Sequence, residues 1–119
     1  MHDPYAARAS SAETDRSPET RSSRMTRLAA VPTVQIENDR CRVVEWRFAP
    51  GAATGWHTHA HDYVVVPMTT GRLLLEEPGG AKRHAALQAG VSYTRAAGVE
   101  HDVINDNDGE FVFIEIEMK

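Results

Sequence analysis

The 119-residue sequence has one cysteine, Cys41, so it contains no internal disulfide, and its fold must rest on packing alone. That usage suits a reducing cytoplasm. No apolar run is long enough to span a bilayer, which predicts a soluble protein with no membrane partner. The formal net charge is −4, and no cluster of basic residues lies in the part expected to fold, which argues against a nucleic-acid partner. There is no glycine-rich phosphate loop with its lysine, no Gly-x-Ser-x-Gly turn and no Cys-x-x-Cys pair. Nucleotide hydrolysis, serine esterase chemistry and dithiol redox chemistry therefore have no residues to carry them. A nucleophile would have to be built from Ser92 or Cys41, and their spacing from any base gives no support.

The first 24 residues are rich in Ser, Arg, Glu, Thr, Ala and Pro, with Tyr5 their one aromatic. Such a stretch cannot bury enough apolar surface to offset its ordering entropy, so residues 1–24 are expected to form a disordered tail. It has neither the apolar core of a secretory signal nor the acid-poor composition of a transit peptide, and Met25 is a second candidate start. Residues 25–119 form the expected domain, large enough for one core and small enough to gain from pairing with a second copy.

What is present after the tail is strand periodicity. The segment "RCRVVEWRFAP" alternates Val44, Trp46 and Phe48 against Arg42, Val43, Glu45 and Arg47, imperfectly but at period two, and ends in a Pro-Gly turn. "YVVVPM" and "RLLLEE" are short apolar runs separated by "TTG", and the turn "EPGG" follows. At the C-terminus, Val112, Ile114, Ile116 and Met118 share one face, and Phe111, Phe113, Glu115 and Glu117 share the other. Short strands separated by frequent turns predict an all-β antiparallel sandwich or barrel without a helical layer.

Two places in this pattern carry chemistry. In "GWHTHAHDYVV", His57 and His59 are one residue apart, so on an extended strand both imidazoles project from one face, and His61 would join them if the strand ran on. Such a pair can chelate a divalent metal, but the pair alone leaves a structural or exposed role open. In "GVSYTRAAGVEHDVIN", Gly90 and Gly98 bracket a short strand, and His101 opens the next. A histidine there is what a sandwich needs to bring a third ligand across to the pair.

Taken together, the two segments resemble the two motifs of single-domain cupins. Gly51, His57, His59 and Gly71 fall at the positions of the first motif; Gly90, Gly98, His101 and Asn105 fall at those of the second, with Ala96 in place of its proline. The flanking strands extend the resemblance to roughly residues 28–119. Within cupins, "GWHTHAHDYVVVP" and "GVEHDVIN" are most similar to small proteins grouped as beta-alanine degradation proteins. The resemblance implies a jelly-roll antiparallel β-barrel, the double-stranded β-helix, and a homodimer in which "LAAVPTVQIEN" pairs or exchanges. It further implies a divalent transition metal, Fe, Zn, Ni or Cu, held by His57, His59 and His101.

The departure from the motif concerns its glutamate, whose position falls on Tyr63 or Val64 according to the direction of counting. Three neutral imidazoles leave the full +2 on a divalent ion, where a carboxylate would reduce it, so an anionic substrate gains more by coordinating. The expected function is that of a metal-dependent enzyme, an oxygenase among the options, acting on a small carboxylate- or carbonyl-bearing metabolite. The competing expectation is a binding module that senses or carries a small acid.

Neighbouring residues have expected roles of their own. Tyr63 offers a phenol as acid, hydrogen-bond donor or distant ligand, against an ordinary half-buried strand tyrosine. His61 and Asp62 fall in the loop after the pair, with His61 behind the ligands rather than among them. Tyr93 and Arg95 alternate on one strand, where Arg95 could bind a substrate carboxylate bidentately or simply lie on the surface. Trp46 and Phe48 are expected to line the interior, and Trp56 to point away from His57. Glu115 and Glu117 are expected on a solvated face, against the alternative that one of them reaches the cavity as a catalytic base; Asn105 is expected as a turn-holding residue, Cys41 as a small core residue and His84 as a loop histidine.

Overall fold

The computed structural model describes residues 27–119; the expected tail, with His2 and Met25, lies outside the described residues. The described residues form nine strands: β1 (Val31–Glu37), β2 (Cys41–Phe48), β3 (His57–Thr58), β4 (Asp62–Pro67), β5 (Gly71–Glu76), β6 (Lys82–Leu87), β7 (Tyr93–Arg95), β8 (Glu100–Asn105) and β9 (Phe111–Met118). Among the described residues the one helical feature is a single 3-10 turn, Pro78–Gly80, and no helix is long and apolar enough to cross a membrane. The strands build two antiparallel sheets, in the orders β1-β2-β9-β4-β7 and β3-β8-β5-β6. The predicted all-β barrel of jelly-roll type is what the chain adopts.

The alternation read from the sequence sets which faces meet. Val44, Trp46 and Phe48 point inward and are fully buried, as expected. They pair across β2 and β9 with Glu115, Phe113 and Phe111, so the aromatics of both strands pack together, with Phe48 and Phe113 at 5.4 Å between ring centroids. Facing them from the other sheet are Leu73, Leu75 and Val103.

Ala53 closes one side of the barrel, bridging to Ala29 before β1 and to Ile104 of β8. On the other side β6 and β7 are both terminal strands of their sheets, and no ladder joins them among the described residues. The barrel is therefore open along that seam.

Several expectations need correction. Phe111 and Phe113 lead β9 inward, and period two then carries Glu115 inside with them, where it is 3% exposed rather than solvated. The apolar residues Ile114 and Ile116 consequently lie half-buried on the outer face. Cys41, at the start of β2, is half-buried rather than a core residue. His84 belongs to β6, exposed, with its Nε2 2.8 Å from Asp106. The strand "KRHAAL" itself has no apolar alternation to announce it.

Asn105 is the polar knot at the apolar end of the barrel. Its Nδ2 donates to the carbonyls of Phe48, Ala49 and Gly109, and its Oδ1 accepts from the Asn107 backbone and Nδ2. Asn107 in turn holds the Arg72 backbone through both of its side-chain atoms. A Cβ on Gly71 would stand 2.5 Å from Asn107 Oδ1, which is why a glycine opens β5. Replacing Asn105 by Ala strands several buried carbonyls, and urea unfolding should record a loss of about 2–4 kcal/mol. A loss under about 1 kcal/mol would show that the loops hold without this knot.

Candidate metal centre

His57 and His101 meet because β3 and β8 pair antiparallel with these two residues directly opposite each other. Four bonds hold that short pairing in register. Thr54 N–H donates to the Val103 carbonyl, Gly55 N–H to Asp102 Oδ1, His59 N–H to the Val99 carbonyl, and Gly98 N–H to the His59 carbonyl. Gly98 has φ of 94°, a conformation closed to most side chains, so the turn that receives His59 needs glycine. His59 lies just beyond β3 and is brought to the pair by this clamp rather than by strand geometry.

The three imidazoles are buried, 3–4% exposed. Nε2 of His59 lies 3.0 Å from that of His57 and 3.2 Å from that of His101. The rings stand at 71–89° to one another, like blades around a common point. Nitrogens about 2.1 Å from a shared ion would be about 3.0 Å apart at right angles and about 3.4 Å apart on a tetrahedron, so the set fits a metal ion.

The tautomers fit as well. His57 Nδ1 lies 2.8 Å from the Gly55 carbonyl and must carry the proton, which leaves the lone pair on Nε2. Burial, and then the neighbouring imidazoles, push the pKa of His59 down to about 3 and that of His101 to about 2. Both are neutral at physiological pH and can donate lone pairs.

Position 63 faces inward and position 64 outward, so Tyr63 occupies the place of the motif glutamate on the barrel's inner face. Its ring stacks on the His59 imidazole at 3.9 Å and 17°. The tyrosine thus supplies a platform that fixes the ring plane of His59. Burial pushes the Tyr63 hydroxyl well above its usual range, opposed by the charge of Arg95 and reinforced by that of Glu115. Tyr93 is raised in the same way, by burial first, so both phenols are hydrogen-bond donors at neutral pH.

Arg95 is the direct cross-strand partner of Tyr63, and Tyr93 that of Val65, so both arrive on the inner face. Together with His101 and Glu115 they line a cavity of about 20 Å³. His61 is not brought to the cluster: the chain bends before β4, and its Nδ1 lies 3.3 Å from Glu117 Oε2. Asp62 accepts the Ala97 N–H, and Trp56 is half-buried. Of the two glutamates for which the sequence left a cavity and a solvated face open, Glu115 is the one that lines the cavity, one period-two step on from Phe111 and Phe113.

The depressed histidines make a pH prediction for metal-free protein. An unfolded histidine takes a proton near pH 6.5, whereas folded His59 and His101 refuse one until about pH 3 and about pH 2. Below about pH 6.5 the unfolded chain therefore binds more protons, so stability should be complete above that pH and fall on acidification. Urea unfolding of chelator-treated protein between about pH 8 and about pH 5 should show the loss, less steep in His101→Ala. A flat profile would mean that these imidazoles protonate as readily folded as unfolded.

The pattern described as the cupin domain matches residues 44–117. The beta-alanine degradation protein BauB of Pseudomonas aeruginosa is 62% identical over 93 residues, covering 78% of this chain and 97% of that protein. A crystal structure of a cupin domain from Bordetella pertussis is 64% identical, with a TM-score of 0.77 over 80% of this chain and 98% of the other. A Klebsiella pneumoniae protein with a double-stranded beta-helix domain, 23% identical, shares the fold with a TM-score of 0.63 over 76% of each chain. The family pattern spans more than half of the sequence, including all three clustered histidines, and the chain belongs to the cupin family.

Proposed function

We propose that the protein is a metal-dependent enzyme of small-molecule catabolism that acts on a small carboxylate- or carbonyl-bearing metabolite. The observation that carries this is the convergence of three buried, neutral imidazoles, with Nε2 atoms 3.0 and 3.2 Å apart. The name of the Pseudomonas relative supports a setting in amino-acid breakdown.

A divalent Fe, Zn, Ni or Cu ion held by His57, His59 and His101 would supply a Lewis acid with its charge undiminished by a protein carboxylate, and iron or copper would also suit an oxygenase. Arg95 binds the substrate carboxylate from the opposite sheet. Tyr63 orients His59 and, with Tyr93, donates hydrogen bonds. Glu115 is the inward carboxylate available to hold a proton. The protein works in the cytoplasm as a homodimer. Edge strand β1, with Val31 58% and Ile36 49% exposed, supports pairing of two copies through that strand.

Elemental mass spectrometry of untagged protein should find close to one metal ion per chain, and His101→Ala should lower metal affinity by at least about tenfold. Equal metal content in the variant would remove the basis of the proposal. With the ion present, Arg95→Gln should raise KM for the carboxylate substrate by about 10–100-fold at unchanged metal content. An oxygen-electrode screen of thiols, diketones and short amino acids tests turnover. Metal-dependent uptake supports an oxygenase, whereas tight binding without turnover in any assay would make the protein a small-acid sensor or carrier.

A further inference from the structure

His57 takes its aim from a chain of contacts that starts on the outer face of the barrel. The Gly55 carbonyl is the junction. It accepts the His57 Nδ1 proton at 2.8 Å and the Thr54 hydroxyl at 2.9 Å, so two donors fix the group that decides which His57 nitrogen keeps its lone pair. Thr54 Oγ1 in turn accepts the Val103 N–H at 3.2 Å, and the Gly55 N–H donates to Asp102 Oδ1 at 3.0 Å. Gly55 is thus tied to β8 on both its amide side and its carbonyl side.

Asp102 follows His101 on β8, so its side chain turns to the outer face, yet it is only 8% exposed. Arg27 covers it. One terminal nitrogen of that guanidinium lies 3.7 Å from Asp102 Oδ2 and the other 2.9 Å from Glu76 Oε2. Glu76 and Asp102 are direct partners on β5 and β8, so a single arginine spans two neighbouring acids.

The backbone after Arg27 runs along the same line. The Leu28 carbonyl accepts the Ala53 N–H, and the Ala30 N–H donates to the Ala53 carbonyl. Residues 27–30 therefore brace the stretch 53–55 that delivers His57. Sheltered acids bridged by one arginine are a weak source of stability, because desolvation offsets their attraction; what they do well is hold one arrangement.

We propose that Asp102 is a positioning residue of the metal centre and that Arg27 holds it in place, which makes the segment before β1 part of the site. Asp102 sets Gly55, Gly55 sets the His57 proton, and His57 Nε2 then presents its lone pair. His101 provides the contrast: its Nδ1 is buried with no hydrogen-bond partner among the described residues, so strand register aims it without such a lock. The effect on metal affinity rests on the metal-centre reading; the effect on the His57 tautomer does not.

Two measurements on the full chain test this: Co(II) affinity by competition titration, and the imidazole nitrogen-15 spectrum of metal-free protein, which reports the His57 tautomer. Asp102→Ala should weaken Co(II) binding by about tenfold or more and turn the single Nδ1–H tautomer of His57 into a mixture. Asp102→Asn keeps an acceptor for the Gly55 N–H and should restore most of both. Arg27→Gln should weaken Co(II) binding less than Asp102→Ala does, and should add little in the Asp102→Ala background, because both act through one contact. Should Asp102→Ala fail to fold, Arg27→Gln carries the test at an unchanged melting temperature. Unchanged affinity and tautomer in folded Asp102→Ala, or an Asn variant as impaired as the Ala variant, would overturn the proposal. If the wild type takes up no metal yet the tautomer moves in Asp102→Ala, the positioning of His57 stands and the metal reading falls. If Co(II) binds equally in wild type and Asp102→Ala, the metal reading stands and the positioning role falls.

Discussion

The centre of this molecule depends on the register of a strand two residues long. β3 pairs with β8 only through His57↔His101 and Thr58↔Glu100. A slip of one residue would turn one of these imidazoles to the opposite face and leave the others without a partner. So short a ladder cannot fix its own register. The bonds flanking it do, from Thr54 and Gly55 on one side and from His59 on the other. The dependence on Gly98 follows, because the carbonyl that receives the His59 N–H belongs to the residue after that turn. Long strands supply the walls, and a clamped short one supplies the aim.

The walls are divided along the barrel axis. Pro67 pairs with Phe113, Val65 with Glu115 and Tyr63 with Glu117, so moving along the β4–β9 ladder takes the interior from aromatic to acidic. Pairing of β2 with β9 repeats the gradient from Phe48 to Val44, and β8 places His101 two steps from Val103. Apolar burial at one end is what stabilises the barrel, and it lets the other end carry buried histidines, Glu115 and Arg95 at a cost in desolvation. Loss of packing at Trp46 or Phe48 would therefore reach the site through the ladder, with no contact to the histidines needed.

The sequence was most legible where burial is one-sided. Val44, Trp46 and Phe48 announce their strand because alternation is the physical consequence of one wet and one dry face. The three histidines were legible through the resemblance to the cupin motifs rather than through alternation, since His59 lies beyond β3 and is set by the clamp around Gly98. The β6 strand was not, because an edge strand with exposed Lys82, Arg83 and His84 has no dry face to reveal it. Glu115 was left between the cavity and a solvated face because its side chain type weighed against its period, yet Phe111 and Phe113 share its face and turn inward. His61 continued the alternation on paper, and the bend before β4 broke it in space. Tertiary closure decided the case of His61, and no local pattern encodes it.

The exchange of a carboxylate for Tyr63 explains the electrostatic character of the chamber. A glutamate at this inward position would have brought negative charge to the imidazoles; an aromatic ring stacked on His59 holds the same ligand in place without it. The remaining inward carboxylates, Glu115 and Glu117, belong to β9, and Glu117 already has His61 as its partner. Arg95 stands on the strand opposite and contributes a positive charge to the same cavity. A divalent ion among the histidines would therefore find its charge offset less than in a centre with a carboxylate ligand. An anionic substrate of the kind proposed would complete the balance, and a buried site of that charge would discriminate against neutral analogues by leaving its cations uncompensated.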